Sequence, residues 1–147
     1  MESLILHHNL FCKLNEQSYI IFYDGICGLC NRAVQLIIRL DKKEIFRFAA
    51  LDSDFAKVHL ESKSIKRENF DSIILIIYNK QYFYSEAILK IFSLLGFPYK
   101  LLLLAYILPK SLRDWIYKWI ARNRYKIWGK YDSCPIPKEH QRKLFFQ

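Results

Sequence analysis

The chain has 147 residues, of which 52% are hydrophobic and 25% are charged, and its formal net charge is +9. This length argues for one domain, and this composition excludes a largely disordered, collagen-like or low-complexity protein. Four cysteines are too few for a small secreted protein held together by disulfide bonds.

The positive charge is concentrated near the C-terminus. Residues 1–109 have 13 basic and 11 acidic side chains, whereas residues 110–147 have 10 basic and 3 acidic ones. A solvated helix face with a basic tail explains this excess most simply, and an anionic partner is the alternative. We expect no specific nucleic acid as a partner and at most a weak peripheral contact with membranes.

Neither a signal peptide nor a membrane-spanning helix is expected. The N-terminal segment lacks a basic region, and His7 and His8 interrupt its apolar run. The longest apolar stretch, residues 99–108, is shorter than the ~20 residues that a bilayer requires. The sequence therefore predicts a cytoplasmic protein whose thiols are reduced at rest.

The first half of the chain predicts two strands, each followed by a helix. Tyr19–Tyr23 is aromatic and β-branched and ends at Asp24-Gly25, which is typical of a buried strand running into a turn. Apolar residues then recur with helical period over residues 29–40. A second strand is predicted at Phe46–Ala50. Asp52-Ser53 follows as the candidate N-cap of a short helix.

A hairpin and a third helix are predicted next. Residues 61–69 are polar and indicate a loop, and residues 73–78 form the most strand-like run. Asn79-Lys80 is a candidate two-residue hairpin turn leading into a strand over residues 81–84. Ser85 is expected to cap a helix that ends at Gly96.

Two more helices are predicted in the C-terminal part. Residues 98–107 form the first, which Pro109 ends. The second is long and amphipathic and ends near Trp128-Gly129. Its apolar stripe, which includes Trp115 and Trp119, is expected to face the core.

The order β-α-β-α-β-β-α followed by further helices is that of a thioredoxin-like α/β fold, a mixed β-sheet flanked by helices. We predict a single domain over residues 1–147. Its core spans about 19–96, a C-terminal helical extension about 97–130 and a basic tail 131–147.

Cys27 and Cys30 form a Cys-X-X-Cys motif at the start of the first helix. Two cysteines at this spacing place their sulfurs on one side of a helical turn, close enough to bridge. The positive end of the helix dipole favours a thiolate on Cys27, which is therefore the expected nucleophile. Cys30, one turn further in and more buried, is the expected resolving thiol. Such an exchange needs no cofactor beyond the Cys27–Cys30 disulfide itself.

Three neighbours of the motif are candidate contributors. Asp24 is either a proton acceptor for Cys30 or a turn and cap residue, and its charge would raise the pKa of Cys27. Arg32 would offset that effect. Gly25 is expected to supply a positive φ where the strand ends.

The alternative to redox chemistry is half of a zinc site, because zinc sites often use Cys-X-X-Cys. The other half would have to come from Cys12, Cys134, His59 or His140, and the sequence has no second Cys-X-X-Cys. A third interpretation is that Cys27 and Cys30 are buried thiols without a chemical role. Cys12 is expected to pack in the interior, and Cys134 is either a third redox thiol or a tail residue.

The motif residues resemble a known family. Tyr23-Asp24-Gly25-Ile26-Cys27-Gly28-Leu29-Cys30 is similar to the Asp-Gly-X-Cys-X-X-Cys signature of the DCC family of predicted thiol-disulfide oxidoreductases. Ser85-Glu86-Ala87-Ile88, Ala121-Arg122-Asn123-Arg124-Tyr125, Trp128-Gly129-Lys130 and Cys134-Pro135 are similar to its other elements. The resemblance covers about residues 19–137.

The resemblance implies a thioredoxin-like fold, a redox role and further residues that line the site. These are Tyr23, Arg122, Arg124, Tyr125 and Cys134. Ser72 occupies the place where thioredoxins carry a cis-proline that helps to hold a peptide substrate.

Together these observations predict a thiol-disulfide oxidoreductase that acts through Cys27 and Cys30. Its partners would be a thiol or disulfide substrate, protein or small molecule, and a separate electron donor or acceptor. A structural zinc-binding or interaction module and a peripheral membrane protein are the alternatives.

Overall fold

The computed structural model describes residues 19–62, 65, 73–96 and 98–146. The expectations for Cys12, for Ser72 and for the N-terminal segment lie outside these residues, as does most of the predicted loop over 61–69. Within the described ranges, no helix is both long and apolar enough to cross a membrane.

A five-stranded mixed sheet forms the centre of the domain. Its strands are β1 (Tyr19–Tyr23), β2 (Phe46–Ala50), β3 (Ile74–Ile77), β4 (Lys80–Phe83) and β5 (Phe145–Phe146), in the order β4-β3-β1-β2-β5. β1 runs parallel to β2 and antiparallel to β3, and β3 and β4 form an antiparallel hairpin. The predicted α/β fold, a thioredoxin-like mixed sheet flanked by helices, is confirmed.

Helices cover both faces of the sheet because residues along β1 alternate between two cores. Ile21 and Tyr23 pack on one face with helix α1 (Gly28–Leu40) and helix α3 (Tyr84–Leu95). Ile20 and Phe22 pack on the other face with helix α2 (Asp54–Ser62). Cys27 and Cys30 belong to the α1 side, so the motif is built against the buried end of β1.

Two turns and caps differ from the sequence predictions. The hairpin turn is Tyr78-Asn79 rather than Asn79-Lys80, because Ile77 pairs with Lys80 and Tyr78 takes a positive φ of 53°. Ser85 does not cap α3, which begins at Tyr84 without a side-chain cap. The Ser85 hydroxyl instead donates to Asp114 Oδ1.

The C-terminal part adds a 3₁₀ segment (Tyr99–Ile107), helix α4 (Lys110–Trp128), a second 3₁₀ segment (Glu139–Leu144) and β5. The helix predicted over 98–107 is therefore a 3₁₀ helix. The end of the tail also packs into the domain, since β5 pairs in parallel with β2 and Leu144 is buried in the core.

The predicted orientation of the α4 stripe is wrong. Trp115 and Trp119 are 61% and 53% exposed, so these side chains lie at the surface and not in the core. The inner side of α4 carries Tyr117, whose hydroxyl accepts a hydrogen bond from the backbone N–H of Ile73, and the buried Arg124.

Candidate active site

The turn after β1 is held by hydrogen bonds from residues close in sequence. Asp24 Oδ1 accepts a 3.1 Å hydrogen bond from the backbone N–H of Ile26, and the carbonyl oxygen of Asp24 accepts one from the N–H of Cys27. Asn31, on the first turn of α1, donates through its side-chain amide to the carbonyl oxygens of Gly25 and Cys27. These bonds set Cys27 at the N-cap of α1.

The two motif sulfurs lie together at this N-terminus. Cys27 Sγ accepts a 3.3 Å hydrogen bond from the backbone N–H of Cys30, and both residues are free cysteines. Cys27 has an exposed fraction of 0% and Cys30 one of 6%. Both cysteines are therefore buried, with little difference between them.

The surroundings separate the pKa values of the two thiols. The pKa of Cys27 is lowered from an ordinary value near 9 to about 6. The side-chain hydrogen bond from Cys30 contributes most, burial opposes it, and the Cys30 backbone N–H and the Arg124 charge lower the pKa further. The pKa of Cys30 is raised, first by the same hydrogen bond and then by burial. The pair therefore favours a thiolate on Cys27 and a proton on Cys30.

Asp24, Arg124 and Tyr125 form a polar cluster beside the dithiol. Arg124 Nη2 lies 3.0 Å from Asp24 Oδ2 and 3.2 Å from the hydroxyl of Tyr125, which also donates to Asp24 Oδ2. The side chains of Arg124 and Asp24 are 5% and 17% exposed, so this ion pair is largely shielded from water. The cluster joins the Asp24 turn, which precedes the Cys-X-X-Cys motif, to Arg124 and Tyr125 of α4, 100 positions later in the chain.

Residues 128–131, here called the C-terminal strap, lie along the backbone of the motif. The N–H of Gly28 donates to the carbonyl oxygen of Gly129, the N–H of Tyr131 donates to that of Ile26, and Cys27 forms a β-bridge with Lys130. A Cβ on residue 28 would lie 2.3 Å from the carbonyl oxygen of Trp128. The glycine inside Cys-Gly-Leu-Cys is thus required by the strap.

Gly25 also serves close packing, and the prediction of a positive φ at this residue is wrong. A Cβ on residue 25 would lie 2.6 Å from Cys134 Sγ. Cys134 Sγ also lies 4.0 Å from the hydroxyl of Tyr23, whose pKa is raised mainly by burial. Burial likewise raises the pKa of Cys134. Tyr23, Gly25 and Cys134 therefore meet next to the motif.

The remaining predicted arginines lie at the surface. Arg32 is exposed on α1, and the cation that lowers the pKa of Cys27 is Arg124 instead. Arg122 is exposed and donates to the carbonyl oxygen of Lys118. Arg122 lines a cavity of about 420 Å³ together with Tyr84, Tyr117, Lys118, Ala121, Arg124 and Tyr125.

Three contributors escaped the sequence prediction: Asn31, Tyr117 and the strap. Asn31 sits on the polar side of α1, where nothing in the helical pattern marks it. Burial raises the pKa of Tyr117 to about 12, and the charges of both motif cysteines act on it. The resemblance at Trp128-Gly129-Lys130 indicated that the strap residues matter to the family. It did not indicate that they lie against the backbone of the Cys-X-X-Cys motif.

Among the residues that the structure describes, the ligands considered for zinc are not grouped around a common point. His59 stacks against the rings of Phe22 and Phe55, on the sheet face opposite the dithiol. In the part of the chain that the structure describes, no three His, Cys, Asp or Glu side chains are grouped so that they could hold a metal ion.

Comparisons with known proteins show the family of the chain. The family model for DCC1-like thiol-disulfide oxidoreductases matches residues 21–130. The chain belongs to this family. The matched range extends from β1 through the dithiol to Lys130, so it includes both halves of the polar cluster and most of the strap.

Two relatives also match most of the chain. The chain is 36% identical over 126 residues to the uncharacterized protein YuxK of Bacillus subtilis (strain 168), covering 86% of this chain and 92% of that protein. It is 33% identical over 118 residues to the chloroplastic DCC family protein At1g52590 of Arabidopsis thaliana, covering 80% and 69% respectively. No solved structure gives a significant match.

Proposed function

We propose that this member of the family catalyses dithiol–disulfide exchange, with Cys27 as nucleophile and Cys30 as resolving thiol. The observation that carries the proposal is the geometry of the dithiol: Cys27 is the N-cap of α1, its Sγ accepts a 3.3 Å hydrogen bond from the backbone N–H of Cys30, and both residues are free cysteines. In this setting the pKa of Cys27 is lowered, chiefly by its hydrogen bond with Cys30. A thiolate is the form that attacks a disulfide, and the neighbouring thiol completes the exchange once it gives up its proton.

The reaction runs in two displacements. Cys27 Sγ⁻ attacks one sulfur of the substrate disulfide, which gives a Cys27–substrate mixed disulfide and releases one substrate thiolate. Cys30 then attacks Cys27 Sγ, which forms the Cys27–Cys30 disulfide and releases the second substrate sulfur, and the Cys30 proton passes to one of the released substrate thiolates. Two electrons pass to the substrate, and a separate dithiol donor returns them.

Asp24 acts as a positioning residue in this scheme. Three donors already occupy its carboxylate: the N–H of Ile26, the guanidinium of Arg124 and the hydroxyl of Tyr125. These contacts favour an electrostatic role over proton transfer from Cys30. Its negative charge raises the pKa of both thiols, whereas Arg124 lowers both.

Each turnover also requires access to Cys27, which has no exposed surface at rest. The strap is held to the motif by the Gly28–Gly129 and Tyr131–Ile26 backbone hydrogen bonds. We infer that displacement of the strap exposes the sulfur to the substrate. The proposed reaction uses no cofactor, and a cytoplasmic location fits free thiols, which persist in a reducing compartment.

A redox titration with trapping of mixed disulfides tests the proposal. Wild type and Cys134→Ser should show a reversible two-electron transition, and Cys27→Ser and Cys30→Ser should lack it. Cys30→Ser should accumulate a mixed disulfide with a model disulfide, because no resolving thiol remains. A Cys27→Ser protein that titrates like wild type, or one bound zinc per chain with both thiols unreactive, would overturn the assignment.

A further inference from the structure

The 3₁₀ segment and α4 present an unusually apolar surface. Leu101, Leu104 and Ile107 recur every three residues along the 3₁₀ segment, which places them on one side, and they are 59%, 63% and 81% exposed. On α4, four residues at helical spacing share a side and are 40–61% exposed: Leu112, Trp115, Ile116 and Trp119. We call these two stripes together the apolar face.

The two elements of the apolar face both pack on α3 and are in side-chain contact with each other. The guanidinium of Arg113 on α4 lies 4.8 Å from the ring centroid of Tyr106 in the 3₁₀ segment. A groove of about 250 Å³, lined in part by Leu108, Ile116 and Ile120, lies where the two meet. Since folded monomers seldom expose large contiguous apolar surfaces, this one points to a binding partner.

The charge around the apolar face selects the partner. Residues 98–130 carry eight Lys or Arg side chains and a single acidic one, Asp114, which accepts a hydrogen bond from Ser85. A second copy of the chain would bring the same positive charge to the interface, which disfavours self-association. A helix with lysines and arginines beside exposed tryptophans and leucines is typical of proteins that lie on anionic membranes.

We propose that the apolar face docks the protein on an anionic lipid bilayer. The stripe side chains enter the boundary between headgroups and acyl chains, and the exposed Lys118 and Lys126 meet the lipid phosphates. This surface is built from side chains other than the motif cysteines, so the proposal stands independently of the thiol chemistry.

Vesicle flotation with the full reduced chain tests the proposal. The protein should float with phosphatidylcholine vesicles that contain phosphatidylglycerol and should stay behind with pure phosphatidylcholine. Binding should weaken severalfold as salt rises, because screening weakens the electrostatic attraction. Tryptophan emission should shift to shorter wavelength on binding and be quenched by brominated lipid.

Matched variants separate insertion from simple adsorption. Trp115→Ser/Trp119→Ser should lose the quenching and most of the binding, and Lys118→Gln/Lys126→Gln should lose the salt-sensitive part. Val58→Ser and Lys57→Gln replace exposed residues on α2 and should bind like wild type. Cys27→Ser should also bind like wild type, so failure of the redox proposal would leave this one standing.

Four results would overturn the proposal. These are no flotation with anionic vesicles at low salt, flotation without a change in tryptophan emission, unchanged binding of the double tryptophan variant, and a concentration-dependent dimer that buries the two tryptophans. The first would show that anionic lipid is not the partner of this face. The second would indicate electrostatic adsorption alone, the third a different contact surface and the fourth a second copy of the chain.

Discussion

Arg124 Nη2 lies 3.0 Å from Asp24 Oδ2, although the two residues are 100 positions apart in the chain. Through this pair, the C-terminal helix α4 reaches back to the turn that carries the dithiol. Asp24 raises the pKa of both thiols and Arg124 lowers it, so the pair sets opposing charges beside Cys27.

Replacing Arg124 by glutamine should raise the pKa of Cys27 and destabilise the fold. The variant removes a cation that favours the thiolate, and it leaves Asp24 without its buried partner, which costs about 3 kcal/mol. Ultraviolet absorbance of the thiolate measures the pKa, and urea unfolding measures the stability. Arg122→Gln is the control, because Arg122 is exposed and its guanidinium donates to the carbonyl oxygen of Lys118 on the same helix. Equal pKa values in both variants would contradict the electrostatic role of Arg124.

The stability of the reduced protein should fall as the pH falls through about 6. Cys27 has a pKa of about 6 in the folded state and an ordinary value near 9 when unfolded. A lowered pKa in the folded state stabilises the fold above the unfolded value, and this contribution is lost as the pH falls through the folded value. The raised pKa of Cys30 acts in the opposite sense only near and above its ordinary value.

Urea unfolding under reducing conditions, at values from about pH 8 down to about pH 5, tests this dependence. Carboxylates and histidines titrate in part of this range, so Cys27→Ser is the reference. The difference between wild type and Cys27→Ser should shrink toward low pH. A difference that stays constant over this range would show that the Cys27 thiolate is not formed in the folded state.

Gly28→Ala should weaken the strap. The added Cβ would lie 2.3 Å from the Trp128 carbonyl oxygen, so the strap or the helix must shift. We expect a loss of ~1–3 kcal/mol, which exceeds the gain of ~1 kcal/mol from replacing glycine in a helix. Alkylation of Cys27 by a neutral reagent should become faster. Arg32→Ala, an exposed change on the same helix, should keep the wild-type rate. Slow alkylation of Gly28→Ala would show that the strap does not limit access.

Gly25→Ala and Cys134→Ala should couple in a double-mutant cycle. The Cβ added at residue 25 would lie 2.6 Å from Cys134 Sγ, so the single variant should lose ~1–3 kcal/mol. Removing the sulfur relieves only part of the clash, because Cys134 Cβ and Ala50 Cβ lie 3.0 and 3.3 Å from the same point. Urea unfolding should give a coupling of at least ~0.5 kcal/mol. Additive losses would mean that Cys134 moves away at no cost.

Local patterns in the sequence were sufficient for strands β1 to β4 and for the helices that pack on them. Phe46–Ala50 was predicted with its observed bounds, since its apolar residues are bounded by clear breaks. Helix α1 begins one residue before the predicted range because Cys27 itself serves as its N-cap. The hairpin turn was misplaced by one residue, since Tyr78 and not Lys80 adopts a turn conformation.

Features that depend on distant contacts could not be predicted in this way. β5 has only two residues and exists through its pairing with β2. The spacing of Trp115 and Trp119 shows that they share a helix side, but it does not tell what lies opposite that side. An arginine such as Arg124 usually faces solvent, and only the folded chain brings Asp24 to it.

The enclosure of Cys27 also bears on how long such a protein would keep working. A thiolate is the form that peroxide converts to sulfenic acid and then irreversibly to sulfinic acid. Cys27 combines a lowered pKa with an exposed fraction of 0%. The burial that limits the access of substrate to Cys27 would therefore also limit the access of peroxide. A slower reaction with substrate would accompany a slower loss of the thiolate by overoxidation.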